Sequence, residues 1–258
     1  MLWTDCRIVA FDTETTGLTS YAGDRVMEFG AVELYLDAQL NIVRIAHHQY
    51  LIDPQRPIPR EASQVTGITE ADVRGKPPFS SVARELHSLL NNSIVVAHNF
   101  GFDLGFMKSE FARCGLSWPN TVAEVDTLVL ARMYMTHMRR FNLSEVSSDL
   151  RVELINAHRA VDDAEACGRA FVAMAKRYSA PQDFIEFVNW SVATAPPPKN
   201  GHISIKDQGA PEFTSGPHQG DLVEHHTDYL QWMSFAREHR DGEWAYRFSE
   251  DLRKWIQS

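Results

Sequence analysis

The chain has 258 residues, 44% hydrophobic and 23% charged, enough for one large domain or for a medium domain with an appendage. Those proportions exclude a chain disordered throughout, and no apolar run approaches the length of a bilayer span. With 34 acidic against 25 basic residues, the net charge of -9 excludes a broad phosphate-neutralising grip on long duplex DNA, though not nucleic acid as a substrate.

Cys6, Cys114 and Cys167 are an odd number, far apart and without metal-type spacing, so reduced thiols are expected. Met1 to Arg7 carries Asp5 and lacks the ordered basic, apolar and small-residue segments of a leader, which predicts a cytoplasmic protein without membrane contact.

Ile8 to Phe11 reads as a short apolar strand, Val26 to Leu34 as a second, and Arg44 to Ile52 as a loosely alternating third, with Asp37 to Asn41 turning between the last two. Pro54, Pro57 and Pro59 end the strand pattern. Apolar residues at Phe79, Val82, Ala83, Leu86, Leu89 and Leu90 form a helical stripe. A buried strand at Ile94 to Ala97, a helix at Phe102 to Cys114, a strand at Val122 to Val125 and a helix at Leu128 to Met135 follow. Ala160 to Tyr178 is a long helix with Ala, Cys and Phe turned inward. A meander followed by alternating helix and strand predicts an α/β domain over residues 1–180, its mixed five-stranded sheet flanked by helices as in the ribonuclease H-like fold. Ala195-Pro-Pro-Pro-Lys-Asn-Gly201 marks a stiff, proline-rich linker within 181–201. Residues 202–258 form a small C-terminal module with six basic against ten acidic residues and many aromatic side chains, among them Tyr229, Trp232, Trp244 and Trp255.

The chemistry gathers at element ends. Asp12 and Glu14 close the first strand two residues apart, so both carboxylates point to one face, an arrangement that can hold a hard cation or stand solvated. Asp103 follows the strand at Ile94 to Ala97, where a helix-start aspartate serves equally as a cap. His158 precedes the long helix, and Asp162 and Asp163 lie in its first turns, where they also suit the helix dipole. Together these groups supply ligands for two cations and one base, the requirements of an in-line phosphoryl displacement by water.

The segments Phe11 to Leu18, Val96 to Met107 and His158 to Ala164 resemble the three motifs of the DEDDh branch of the DnaQ-like 3′–5′ exonuclease family, over about residues 7–178. The resemblance implies that Asp12, Glu14, Asp103 and Asp163 bind two magnesium or manganese ions, with His158 as general base. The five-residue interval from His158 favours Asp163 over Asp162 in that register. It further implies that Thr15, Thr16, Gly17 and Leu18 contact the terminal nucleotide and that His98, Asn99 and Phe102 line the same pocket. Gln64 to Thr69 is similar to another family segment, with Thr66 where a histidine is usual. Phe213 to Gly220 and Asp228 to Met233 resemble the small module of exonuclease X-type proteins, but Pro217 and Asp221 stand where that module is usually basic.

The activity so implied is release of nucleoside monophosphates from single-stranded 3′ ends, with DNA favoured over RNA. A binding module that keeps the fold without catalysis, an RNA-directed exonuclease and an endonuclease of the wider fold class are the alternatives. A homodimer, a polymerase and a repair protein stay open as partners.

Overall fold

The computed structural model describes residues 2–155 and 158–191, together with four short strands within 203–246. β1 (Arg7–Thr15), β2 (Val26–Leu36) and β3 (Ile42–Leu51) form an antiparallel meander, and β4 (Ser93–Ala97) and β5 (Ala123–Asp126) extend it parallel to β1. The order β3-β2-β1-β4-β5 is the mixed five-stranded sheet expected from the sequence. Because β1, β4 and β5 run in one direction, their carboxyl ends share one edge, where ligand sites in α/β sheets gather.

Alternation along β1 sorts the two faces. Ile8 and Ala10 pack with Cys167, Ala170 and Phe171 of α7 (Ala160–Arg177), and with residues of α5 (Thr127–Tyr134) and α6 (Leu143–Leu150). Val9 and Phe11 pack on the other face with α3 (Phe79–Leu90) and α4 (Phe100–Arg113). The short helices α1 (Arg60–Thr66) and α2 (Glu70–Val73) accompany a small cluster of Met27, Ile68 and Val73. Cys6, Cys114 and Cys167 are unpaired. No helix among the described residues is long and apolar enough to cross a membrane.

Residues 181–201 are not wholly a linker. α8 (Phe184–Ser191) lies inside them, and the first compact unit runs from Met1 to Ala193. The physical reason is Phe187, which is fully buried, stacks on Trp3 at 4.4 Å and meets Phe171 edge-on at 6.1 Å. In the second unit, Thr194–Ser258, β6 (Ile203–Ile205) pairs with β7 (Pro211–Phe213) and β8 (Arg237–Arg240) with β9 (Glu243–Tyr246), both antiparallel. The proline run at 195–201 and the tail segments from Gly216 to Gly220 and from Asp228 to Met233 lie outside the described residues.

One close approach sets where α7 begins. Gly30 sits opposite Asp12 in the β1–β2 ladder, and a Cβ on it would lie 2.1 Å from both the Ala160 carbonyl carbon and the Val161 nitrogen. The first turn of α7 therefore rests its backbone directly on β2, which only glycine permits. Gly30→Ala is expected to cost at least about 1–3 kcal/mol through overpacking. For a domain of this size each kcal/mol lowers the melting temperature by about 2–4 °C, which calorimetry of the variant against wild type will read.

Candidate active site

Asp12 and Glu14 lie on the face that α7 covers, and Thr13 between them lies on the face that α4 covers. Asp163 stands one turn into α7, nearly buried, and reaches the pair because Gly30 lets the helix start beside them. Its Oδ2 accepts the backbone N–H of His158 at 2.8 Å, which ties the preceding loop to the helix. His158 is exposed and adopts a left-handed φ of 68°, a conformation costly for most residues and held here by that hydrogen bond. Ligand-type atoms of Glu14, His158 and Asp163 all lie within 4.8 Å of one another.

Asp103 arrives from the opposite face. It is in the first turn of α4, 2% exposed, and its Oδ1 accepts both the backbone N–H of Thr13 at 3.0 Å and the Thr13 hydroxyl at 2.6 Å. Thr13 thus fixes Asp103 to the strand that carries Asp12 and Glu14. The helix itself begins at Phe100, two residues earlier than the apolar pattern indicates, because the Asp126 carboxylate at the end of β5 accepts the N–H groups of Asn99 and Phe100, each at 3.0 Å.

The four carboxylates disturb one another. Burial, then the charges of Asp103, Glu14, Asp163 and Glu28, hold the Asp12 carboxyl well above the ordinary carboxylate range. Burial followed by Asp163, Glu28 and Asp103 pushes Glu14 up to about 8, against a partial offset from Arg159. Burial lifts Asp103 to about 7 even though the Thr13 hydrogen bonds favour its ionised form, and burial lifts Asp163 to about 6 against the His158 N–H. Protons or cations must therefore gather here at neutral pH.

Each of these acids binds its proton more tightly folded than unfolded. The folded state consequently holds the extra protons between the unfolded and folded values, and stability falls as pH rises from about 4 to about 8. In chelator, the melting temperature should drop across that window, and a divalent cation should restore it at the alkaline end. Circular dichroism melts with and without magnesium measure both effects.

Glu28 is a residue that the sequence motifs do not reveal. It faces Glu14 across the ladder and is 0% exposed. Its carboxylate accepts Arg159 Nη2 at 2.8 Å, the Ala160 backbone N–H at 3.2 Å and Gln49 Nε2 at 2.7 Å. Glu28 therefore caps α7 from β2 and anchors the stretch between His158 and Asp163. A second unsignalled residue is Asp24. It accepts Thr19 N–H at 3.1 Å, is 3.4 Å from the Thr16 hydroxyl and pairs with Arg56 at 2.9 Å, so it closes the turn after β1. A Cβ at Gly17 would strike that carboxylate at 2.2 Å.

The residues expected to meet a nucleotide divide in two groups. Leu18 is 83% exposed at the tip of this turn, and Phe102 is half-buried against Phe106 at 5.0 Å. Asn99 is exposed and left-handed at the start of α4. The hydroxyls of Thr15 and Thr16 are already engaged, with the Gly17 carbonyl at 2.6 Å and the Arg25 N–H at 3.0 Å. His98 has both ring nitrogens occupied, by Thr127 Oγ1 at 2.9 Å and the Phe141 carbonyl at 2.8 Å, and burial pushes its pKa down to about 4. Thr66, nearly buried, donates to the Ala62 carbonyl at 2.9 Å and accepts the Ile68 N–H at 3.1 Å, closing the end of α1.

A mixed sheet of this order flanked by helices is the ribonuclease H-like fold expected from the sequence. Residues 9–171 match the RNase T family model, whose description is exonuclease, and the chain belongs to that exonuclease family, in its DnaQ-like group. It is 32% identical over 172 residues to a PolC-type DNA polymerase III of Halalkalibacterium halodurans and 33% identical over 171 residues to the 3′–5′ exonuclease DinG of Bacillus subtilis. Those matches take in 67% and 66% of this chain but span only 12% and 18% of the two relatives. The fold is also that of Escherichia coli exonuclease I solved with single-stranded DNA and zinc, with a TM-score of 0.56 at 23% identity over 66% of this chain and 40% of that one. Exonuclease X in complex with 5′-overhanging duplex DNA gives a TM-score of 0.51 at 22% identity, over 71% and 99% of the respective chains. At these identities the structural likeness is one of fold.

Proposed function

We propose that the chain is a hydrolase that releases nucleoside monophosphates from the 3′ end of single-stranded nucleic acid, DNA in preference to RNA. The reading rests on the convergence of Asp12, Glu14, Asp103 and Asp163 on one sheet edge, an all-oxygen donor set that suits hard divalent cations, in which burial and the charges of the other acids hold Asp12 and Glu14 up. These four residues would hold two magnesium or manganese ions, which when bound stabilise charge on the attacking and leaving oxygens of an in-line displacement.

The protein's own groups account for the rest. His158, exposed beside Glu14 and Asp163, takes a proton from the attacking water at a ring nitrogen, and the Asp163 bond to its backbone keeps it in place. Leu18, on the turn closed by Asp24, offers an apolar edge against which a terminal base can unstack, and Phe102 offers an aromatic surface that accepts any base. An end that must splay in this way is more accessible in a single strand. The relatives that are a 3′–5′ exonuclease and a DNA polymerase support the polarity, the choice of DNA and a polymerase partner.

End-labelled single-stranded DNA, duplex DNA, RNA and a circular single strand, each incubated with protein and magnesium, test the proposal. The expected result is stepwise shortening of the linear single strand from its 3′ end with mononucleotide products. Cleavage of the circle would show an endonuclease, and inertness toward every substrate would show a binding module.

A further inference from the structure

In a chain of net charge -9, exposed arginines that have no hydrogen bond or ion pair among the described residues stand out. α5 starts directly after Asp126 at the carboxyl edge of the sheet, and the segment from Met135 to Asn142 links it to α6. That segment is pinned at both ends. Near its start, His137 Nε2 lies 2.8 Å from Asp149 Oδ1, and Arg177 holds the other oxygen of Asp149 at 2.7 Å. Near its end, the Phe141 carbonyl accepts from His98 Nε2 at 2.8 Å, in the stretch between β4 and Asp103. The Phe141 end of the loop is thereby fastened beside the end of β4, while the His137 end is tied through Asp149 to Arg177 at the far end of α7.

Between the two pins stand Arg139 and Arg140. Both are exposed and, among the described residues, neither has a hydrogen bond or ion pair. They border a groove of about 420 Å³ together with His137, Met138, Glu145 and Asp149. Asp149 is already engaged by His137 and ion-paired with Arg177, so Glu145 is the one acidic side chain of the groove without such a partner among the described residues. Arg132 of α5, equally without a partner among the described residues, lies near enough to His98 for its charge to act on that ring. Arg140 thus adjoins Phe141, whose carbonyl meets the His98 ring just after β4, and the charge of Arg132 acts on that same ring.

We infer that Arg132, Arg139 and Arg140 form a phosphate track that receives the nucleic-acid strand upstream of its cleaved 3′ nucleotide. The inference rests on the proposed exonuclease reading and adds the path of the substrate. Carboxylates at the candidate site and the acidic whole both repel a polyanion, so a strand needs local cations to approach. Guanidinium forks suit phosphate oxygens, hold their charge at every working pH and read no base.

The length dependence of substrate use is decisive. A dinucleotide has only its scissile phosphate, whereas an oligothymidylate of about twelve nucleotides spans the upstream track. The Arg139→Ala/Arg140→Ala variant should raise KM for the longer strand about fivefold or more at low salt and lower the salt slope of its binding by about 1.4, two single-strand contacts. KM for the dinucleotide should move by less than about twofold. The Arg139→Lys/Arg140→Lys variant, which keeps the charge, should recover most of the loss. Equal KM changes for both lengths would mean that the arginines shape the active site, and unchanged KM and salt slope would mean that the groove meets some other partner. Either result overturns the track. If the wild type hydrolyses neither substrate, the exonuclease reading fails, while fluorescence anisotropy of the labelled longer strand still measures the variants' effect on binding.

Discussion

Asp12→Asn is expected to leave a folded protein with no hydrolysis of single-stranded DNA above background. The substitution keeps the shape of the side chain and removes one anion from the place where four converge. Asp12 is the group on which burial and all of its acidic neighbours act in the same direction, so its charge is held in the folded protein against resistance. A group kept there at a cost to stability has a functional explanation. Two readouts separate this from ordinary damage. Activity should vanish at any magnesium concentration, and the chelated variant should melt at a higher temperature than the chelated wild type at about pH 8, because one source of repulsion is gone. EDTA added to the wild type should abolish activity in the same assay. Asp162→Asn is the comparison variant: Asp162 borders a different cavity, one lined also by Arg151, Arg169 and Lys176, and its charge raises the neighbouring Asp163, so a modest change in turnover is expected against the complete loss in Asp12→Asn. Wild-type turnover in Asp12→Asn would overturn the assignment of the cluster.

How much of this site the sequence shows depends on whether the interaction is local. The spacing of Asp12 and Glu14 survives intact because alternation in a strand is a property of neighbouring residues. The α3 stripe gives Phe79–Leu90 without adjustment for the same reason. The interval from His158 to Asp163 is likewise read correctly as a loop joined to the first turn of a helix, and the structure adds the hydrogen bond between them. What escapes is contributed from afar. α4 starts at Phe100 because an aspartate 26 residues later supplies the cap. Glu28 looks like a solvent-facing residue in a strand, and only the arrival of Arg159 and Ala160 from a helix 131 and 132 residues away makes it a buried partner. α8 falls in a stretch read as linker because its reason to fold is Trp3, at the other end of the chain. Gly30 is the same kind of case, a strand glycine whose meaning is the helix that touches it.

His158→Asn is expected to reduce turnover by about 10²–10⁴-fold, the usual contribution of a general base. Asparagine is the right replacement, because residue 158 has a left-handed φ of 68° and asparagine adopts that region more readily than most residues, so the backbone bond to Asp163 is kept. The geometry leaves a sharper question for this variant. With Glu14, His158 and Asp163 offering ligand-type atoms within 4.8 Å of one another, the imidazole stands close enough to carboxylates to be a metal ligand instead of a base. The two roles separate in the metal dependence. A base lost from a site whose carboxylates are untouched lowers kcat and leaves the magnesium concentration for half-activation where it was. A ligand lost shifts that concentration upward, and saturating metal then restores kcat. We expect the first pattern, with a melting temperature close to wild type. Recovery of full turnover at high magnesium would assign His158 to the metal and require another group to take the proton from water.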